Sequence, residues 1–212
     1  MANSSRRSEL IFDGPARAPL TVAFAHGAGA PMDHPFMTRI AEGIAAGGFR
    51  VVRFEFPYMA ARRRDGRKRP PDRAPVLHER LEKVARDIGT ATLVLAGKSM
   101  GARVAAEAAD ALAVRGLVGF GFPFHAPGKP VGARADALKA MRTPTLILQG
   151  ARDPFGTRAE VARYRLSKSV RVQYLADGDH SLKPRKASGR TEKQNLAEAA
   201  AVAVQFLKGL VR

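Results

Sequence analysis

Cysteine and tryptophan are absent from this chain, and only 7% of it is aromatic. Without cysteine there are no disulfides and no thiolate metal sites. The five histidines (His26, His34, His78, His125 and His180) are scattered. No pair of them has the helical spacing of a metal site. A Gly-rich phosphate loop and a dinucleotide fingerprint are both missing, so no cofactor is implied. No apolar run approaches the length of a membrane span. The Met1–Arg7 segment is polar, reads as frayed, and lacks the apolar core of a secretory signal, which makes a cytoplasmic protein without membrane partners the expectation. Acidic residues are also scarce, 19 against 36 Lys and Arg, for a net charge of +17.

What is present is enough for a core: 45% of the 212 residues are hydrophobic, and the length suits one domain spanning 1–212. Apolar strands alternate with helical stretches throughout, without internal repeats or a long linker. The strands read near residues 8–12, 19–25, 50–56, 91–97, 116–122, 144–149 and 170–175. The helices read near 33–46, 76–88, 100–114, 133–141, 157–166 and 191–209. This alternation predicts an α/β fold, a mostly parallel central sheet with helices on both faces.

The densest chemical signal is Gly97-Lys98-Ser99-Met100-Gly101, a G-x-S-x-G pentapeptide between an apolar strand and an Ala-rich helix. The bare string is weak evidence. Its strand-to-helix setting gives it weight, because a turn of this kind lifts a serine hydroxyl above the sheet edge and needs small neighbours to do so. The bland reading of Ser99 is a helix cap. A serine nucleophile also needs a base and an acid that orients the base. Asp153 falls just past the strand at 144–149, and His180 falls in the polar loop after the strand at 170–175. Ser, Asp and His thus occur in a workable order, each at a strand's C-terminal end, where open α/β sheets place ligands. Asp177 and Asp179 are rival acids, but their adjacency to His180 disfavours orienting geometry. An oxyanion hole needs two backbone N–H donors. Met100, which follows the serine, offers one. The small-residue loop His26-Gly27-Ala28-Gly29-Ala30 offers the second, assigned to Ala28 with Gly27 the near alternative, while His26 reads as a brace for that loop.

Five strings carry a family resemblance: His26-Gly27-Ala28-Gly29-Ala30, Phe54-Glu55-Phe56-Pro57-Tyr58, Gly97-Lys98-Ser99-Met100-Gly101, Gly121-Phe122-Pro123-Phe124-His125-Ala126-Pro127-Gly128-Lys129-Pro130 and Gly150-Ala151-Arg152-Asp153-Pro154-Phe155-Gly156. Over about residues 20–183 the chain resembles the small lidless α/β-hydrolases near the dienelactone-hydrolase group. Eukaryotic relatives of that family include testis-expressed hydrolase-like proteins and a subunit of a histone acetyltransferase complex. The resemblance implies the α/β-hydrolase fold and a Ser99–Asp153–His180 triad, but no substrate. Dienelactone hydrolases proper use a cysteine nucleophile, so their reaction does not carry over to a chain without cysteine. Little room separates the strand ending near Phe122 from the one starting at Pro144. No cap domain is therefore expected, and the site should be shallow and open.

The residues and the resemblance together predict a serine hydrolase, carboxylesterase-like, acting on a small soluble ester or acyl compound. The alternative is a catalytically weak scaffold or interaction protein of the same fold. Two basic runs, residues 62–73 and 183–193, remain to be placed. One reading sets them around the site mouth, favouring an anionic substrate; the other leaves them as solvated surface. Arg outnumbers Lys by 26 to 10 in an Ala-rich chain, which fits a general coding bias. No nucleic-acid-binding motif accompanies the charge, so no specific nucleic-acid partner is expected. The oligomeric state is not readable.

Overall fold

A computed structural model describes residues 10–129 and 132–211. The Met1–Arg7 segment, the first residues of the strand expected at 8–12, and Pro130 lie outside them. Seven strands form one sheet: β1 (Leu10–Asp13), β2 (Thr21–Ala25), β3 (Arg50–Phe54), β4 (Leu93–Lys98), β5 (Gly116–Phe120), β6 (Thr145–Gly150) and β7 (Val170–Leu175). Their spatial order is β1-β3-β2-β4-β5-β6-β7. Only β1 runs antiparallel to its neighbour, β3; every other pair is parallel.

The helices are α1 (Pro35–Ala46), α2 (Pro57–Asp65), α3 (Ala74–Ile88), α4 (Met100–Ala109), α5 (Asp136–Lys139), α6 (Arg158–Val161) and α7 (Glu192–Val211). They split between the two faces of the sheet. Because successive strand residues point to opposite sides, Ala23 and Leu95 join the α3–α4 core, while Val22, Phe24, Val94 and Ala96 join the core under α1 and α7. The central strands are buried on both faces, which explains their continuous apolar runs. Helix α4 is sunk against the sheet, with eight of its ten residues buried. Its alanines permit that approach: a Cβ on Gly119 of β5 would already sit 3.4 Å from the Ala102 methyl.

Several helices differ from their expected extents. The basic run at 62–73, outside every helix expected from the sequence, begins inside α2. Pro57 pre-sets the first turn of this helix, and Gly66, in the left-handed region at φ 72°, ends it. Arg62, Arg63 and Arg64 occupy the last turn, where cations meet the negative end of the helix dipole. The helix expected at 100–114 stops at Ala109. Its exit turn is held by the Asp110 carboxylate, which accepts from Thr143 N and Thr143 Oγ1 at 2.8 and 2.6 Å. The helix expected at 133–141 is a 3-10 turn (Ala133–Ala135) followed by the single turn of α5. The helix expected at 157–166 is the single turn of α6, started by a Thr157–Glu160 capping box and then replaced by tighter i→i+3 bonds. Among the described residues between β5 and β6 there is no inserted cap.

The junction of β4 and α4 is closely packed. A Cβ on Gly97 would stand 2.2 Å from Ala102 N, and one on Gly101 would stand 2.6 Å from Ala25 O. Both glycines are therefore required by contact distance. The residue between them, Ser99, adopts φ 51° and ψ −113°, a sparsely populated conformation for a residue with a side chain. Such strain costs about 1–3 kcal/mol, against roughly 0.5–1 kcal/mol for the extra freedom glycine loses on folding. Ser99→Gly is thus expected to stabilise the fold by about 1 kcal/mol. Urea unfolding beside wild type checks this, and a lowered midpoint would show that the turn stores no strain.

Candidate active site

The C-terminal ends of β2, β4, β6 and β7 converge on one cleft of about 320 Å³. Ser99, at the end of β4, meets His180 from the loop after β7: the hydroxyl oxygen lies 2.8 Å from Nε2. On the other side of the imidazole, Nδ1 lies 2.8 Å from Oδ2 of Asp153, which is fully buried in the loop after β6. A carboxylate only accepts, so it holds the ring proton on Nδ1 and leaves Nε2 to accept from the Ser99 hydroxyl. The three residues picked from the sequence thus form one hydrogen-bonded chain.

The backbone makes room for this chain at two glycines. A Cβ on Gly121, at φ 60°, would sit 2.5 Å from the His180 carbonyl, and one on Gly150 would sit 2.1 Å from Asp179 O. The imidazole is also sandwiched from one side by Phe155, whose ring stacks on it at 4.2 Å between centroids. The rival acids are engaged elsewhere. Asp177 pairs with Arg185 and Arg152, and the Arg185 guanidinium holds its carboxyl down at about 2. Asp179 accepts from Ser181 N and Lys183 N at 2.8 and 3.0 Å, closing its own loop.

The loop after β2 borders the cleft with Gly27, Ala28, Gly29 and Ala30. His26 is buried at its base, with Nδ1 2.7 Å from the Gly27 carbonyl and Nε2 accepting from Phe56 N at 3.1 Å. Burial lowers the imidazole's proton affinity below the usual histidine value, which matches the neutral form these two bonds require. In a trans peptide the C=O and the following N–H point in opposite directions. By holding Gly27 O, His26 therefore turns the Ala28 N–H away from itself. Tyr58 holds the next carbonyl, its hydroxyl donating to Ala28 O at 2.9 Å. Neither the Ala28 N–H nor the Met100 N–H has an acceptor among the described residues.

Two residues of the site were not singled out from the sequence. Gln149 is fully buried at the end of β6. Its amide nitrogen donates to Asp153 Oδ2 at 2.8 Å and to Phe122 O at 3.2 Å, and its oxygen accepts from Phe122 N at 2.8 Å. It ties the acid to the chain leaving β5, and Phe155 N completes the carboxylate's partners at 2.8 Å. An amide directly after the apolar run Leu146–Leu148 of a buried strand was the available signal, because a buried amide must be hydrogen-bonded. Lys98 is the second, with its ammonium 2.7 Å from the His180 carbonyl in the cleft wall.

The basic runs supply none of the residues lining the cleft. Arg63 is committed to Glu55 and Asp33 at 2.6 and 2.9 Å, Arg69 to Asp65, and Arg190 to Glu198. Among the described residues no group of three His, Cys, Asp or Glu is placed to hold a metal ion. Likewise none of their helices is long and apolar enough to cross a membrane.

Comparison with solved structures returns the same architecture. An alpha/beta serine hydrolase without a lid from Xanthomonas campestris superposes with a TM-score of 0.70 at 23% identity, covering 92% of this chain and 87% of that one. A dienelactone hydrolase from Anabaena variabilis gives a TM-score of 0.72 at 23% identity, with 94% and 90% covered. A serine hydrolase homologue from Coxiella burnetii gives 0.70 at 21%, with 92% and 89% covered. At these identities the likeness speaks to fold. No curated protein matches the sequence. The alpha/beta hydrolase domain, however, matches residues 18–208, nearly the whole chain, and the chain belongs to that family.

Proposed function

We propose that this protein is a serine hydrolase that cleaves short esters of small, soluble acids. The observation that carries the reading is the hydrogen-bonded chain from Ser99 through His180 to buried Asp153, with both contacts at 2.8 Å. His180 Nε2 takes the proton as the Ser99 oxygen attacks the ester carbonyl, and Asp153 stabilises the imidazolium and keeps its orientation. The tetrahedral oxyanion is received by the Ala28 and Met100 N–H groups. Collapse of that intermediate expels the alcohol, protonated by His180. Water activated by the same imidazole then releases the acid and restores the serine. Gln149 is a positioning residue, acting on Asp153.

Wild type is expected to hydrolyse p-nitrophenyl acetate, with Ser99→Ala and His180→Ala each losing on the order of 10³-fold or more in kcat. The double variant should lose little further, since the groups act as a unit. Additive losses, or an active Ser99→Ala, would refute the assignment.

A cleft of about 320 Å³ is at the small end for ligand sites. Each methylene contributes about 0.8 kcal/mol only if there is a wall to bury it against. A series of p-nitrophenyl esters from acetate to palmitate should therefore give its highest kcat/KM at the short end. An optimum at long chains would reveal an apolar tunnel and contradict the lidless site.

A further inference from the structure

Among the described residues, Lys98 is the only Lys or Arg lining the cleft. Its Nζ donates to the His180 carbonyl at 2.7 Å and lies 5.6 Å from the centre of the Phe36 ring. Among the described residues no carboxylate is close enough to form an ion pair with it. The two carboxylates it feels most, Asp153 and Asp179, are occupied: Asp153 by His180, Gln149 and Phe155, Asp179 by Ser181 and Lys183. Elsewhere the chain pairs cations that water already solvates, such as Arg63, Arg69, Arg185 and Arg190. The half-buried ammonium beside the serine has only a carbonyl and a ring. An ammonium has three donors, and a partly desolvated cation gains more from an anion than an exposed one does.

We propose that Lys98 is the anion-binding residue of this cleft, and that the substrate is a short ester carrying a free carboxylate a few bonds from the scissile carbonyl. The inference rests on the hydrolase reading above and adds the substrate class. The carboxylate meets Nζ while the ester carbonyl lies over Ser99, the next residue along the chain. Phe36 and Met37 of α1 supply the apolar wall between them. Recognition thus comes from a cation inside the cleft, whereas the arginine runs supply none of its lining residues.

Burial lowers the Lys98 ammonium to about 8, so the recognising charge is present below that pH and lost above it. The titratable groups around it are Asp153 from the loop after β6, Asp179 and His180 from the loop after β7, and His34 at the start of α1, which lines the same cleft. A ratio of two substrates on one enzyme cancels their effect on the chemical step.

The test is pH-stat hydrolysis of monomethyl succinate beside dimethyl succinate, its neutral counterpart, with p-nitrophenyl acetate as a control for activity. At pH 7 the monoester should have the higher kcat/KM by about tenfold or more, the scale of one charge-assisted contact. That preference should fall as pH rises through about 8. Lys98→Met should reduce the ratio to near unity, and Lys98→Arg should keep most of it. A purely structural role, bracing the His180 carbonyl, would lower both rates and leave the ratio unchanged. An absent preference, a preference that survives Lys98→Met, or one independent of pH in wild type overturns the proposal while the hydrolase reading stands. Failure to turn over p-nitrophenyl acetate as well would remove both.

Discussion

Ser99 occupies a backbone conformation that a serine does not choose, and the molecule around it exists in large part to impose it. The turn at φ 51° holds because β4 and α4 approach until glycine is the only residue that fits at positions 97 and 101. That approach depends on an alanine-rich α4 sunk against a sheet whose central strands are apolar on both faces. The hydrophobic burial of α4 thus offsets a local strain of about 1–3 kcal/mol. The return is geometric: the serine hydroxyl stands clear of the sheet edge, and the N–H of Met100 has no acceptor among the described residues.

The other parts of the site are held by the same principle, buried polar groups with fully assigned partners. Asp153 is enclosed by Gln149, Phe155 N and His180. The loop after β2 is gripped from below by neutral His26 and from the side by Tyr58. These bonds let rigid elements, rather than loop preferences, set the position of each reacting group, which is what preorganisation requires. Lys98 is the exception. It is a half-buried cation whose protein partners leave room for one more acceptor, and it faces the space where a substrate would sit.

Fold and site were unequally legible in the sequence. The inner strands were readable because strands buried on both faces are written as apolar runs, and the edge strand β7 because its residues alternate. The hydrogen-bonded residues Ser99, Asp153 and His180 could be picked out because nucleophile chemistry demands particular residue types at strand ends. Helix α2 was missed: its arginines hid the Pro57 start and the Gly66 stop, which are the better signals. The expected helices at 133–141 and 157–166 shrank to single turns, since composition favours helix without saying where tighter turns will take over. The roles of Gln149 and Lys98 depend on which distant residues they meet, Phe122 and His180 across the sheet edge. The net charge of +17 drew attention to surface arginines. Among the described residues, the cation that lines the cleft is a single lysine inside the motif itself.

The central claim is that His180 and Asp153 make Ser99 a nucleophile. Labelling with a fluorophosphonate tests it most directly, because the reagent captures an activated serine without requiring the right substrate. Intact mass should show one adduct per chain, peptide mapping should place it on Ser99, and His180→Ala should abolish it. A folded wild-type protein that takes no label, or one labelled at another serine, would contradict the account.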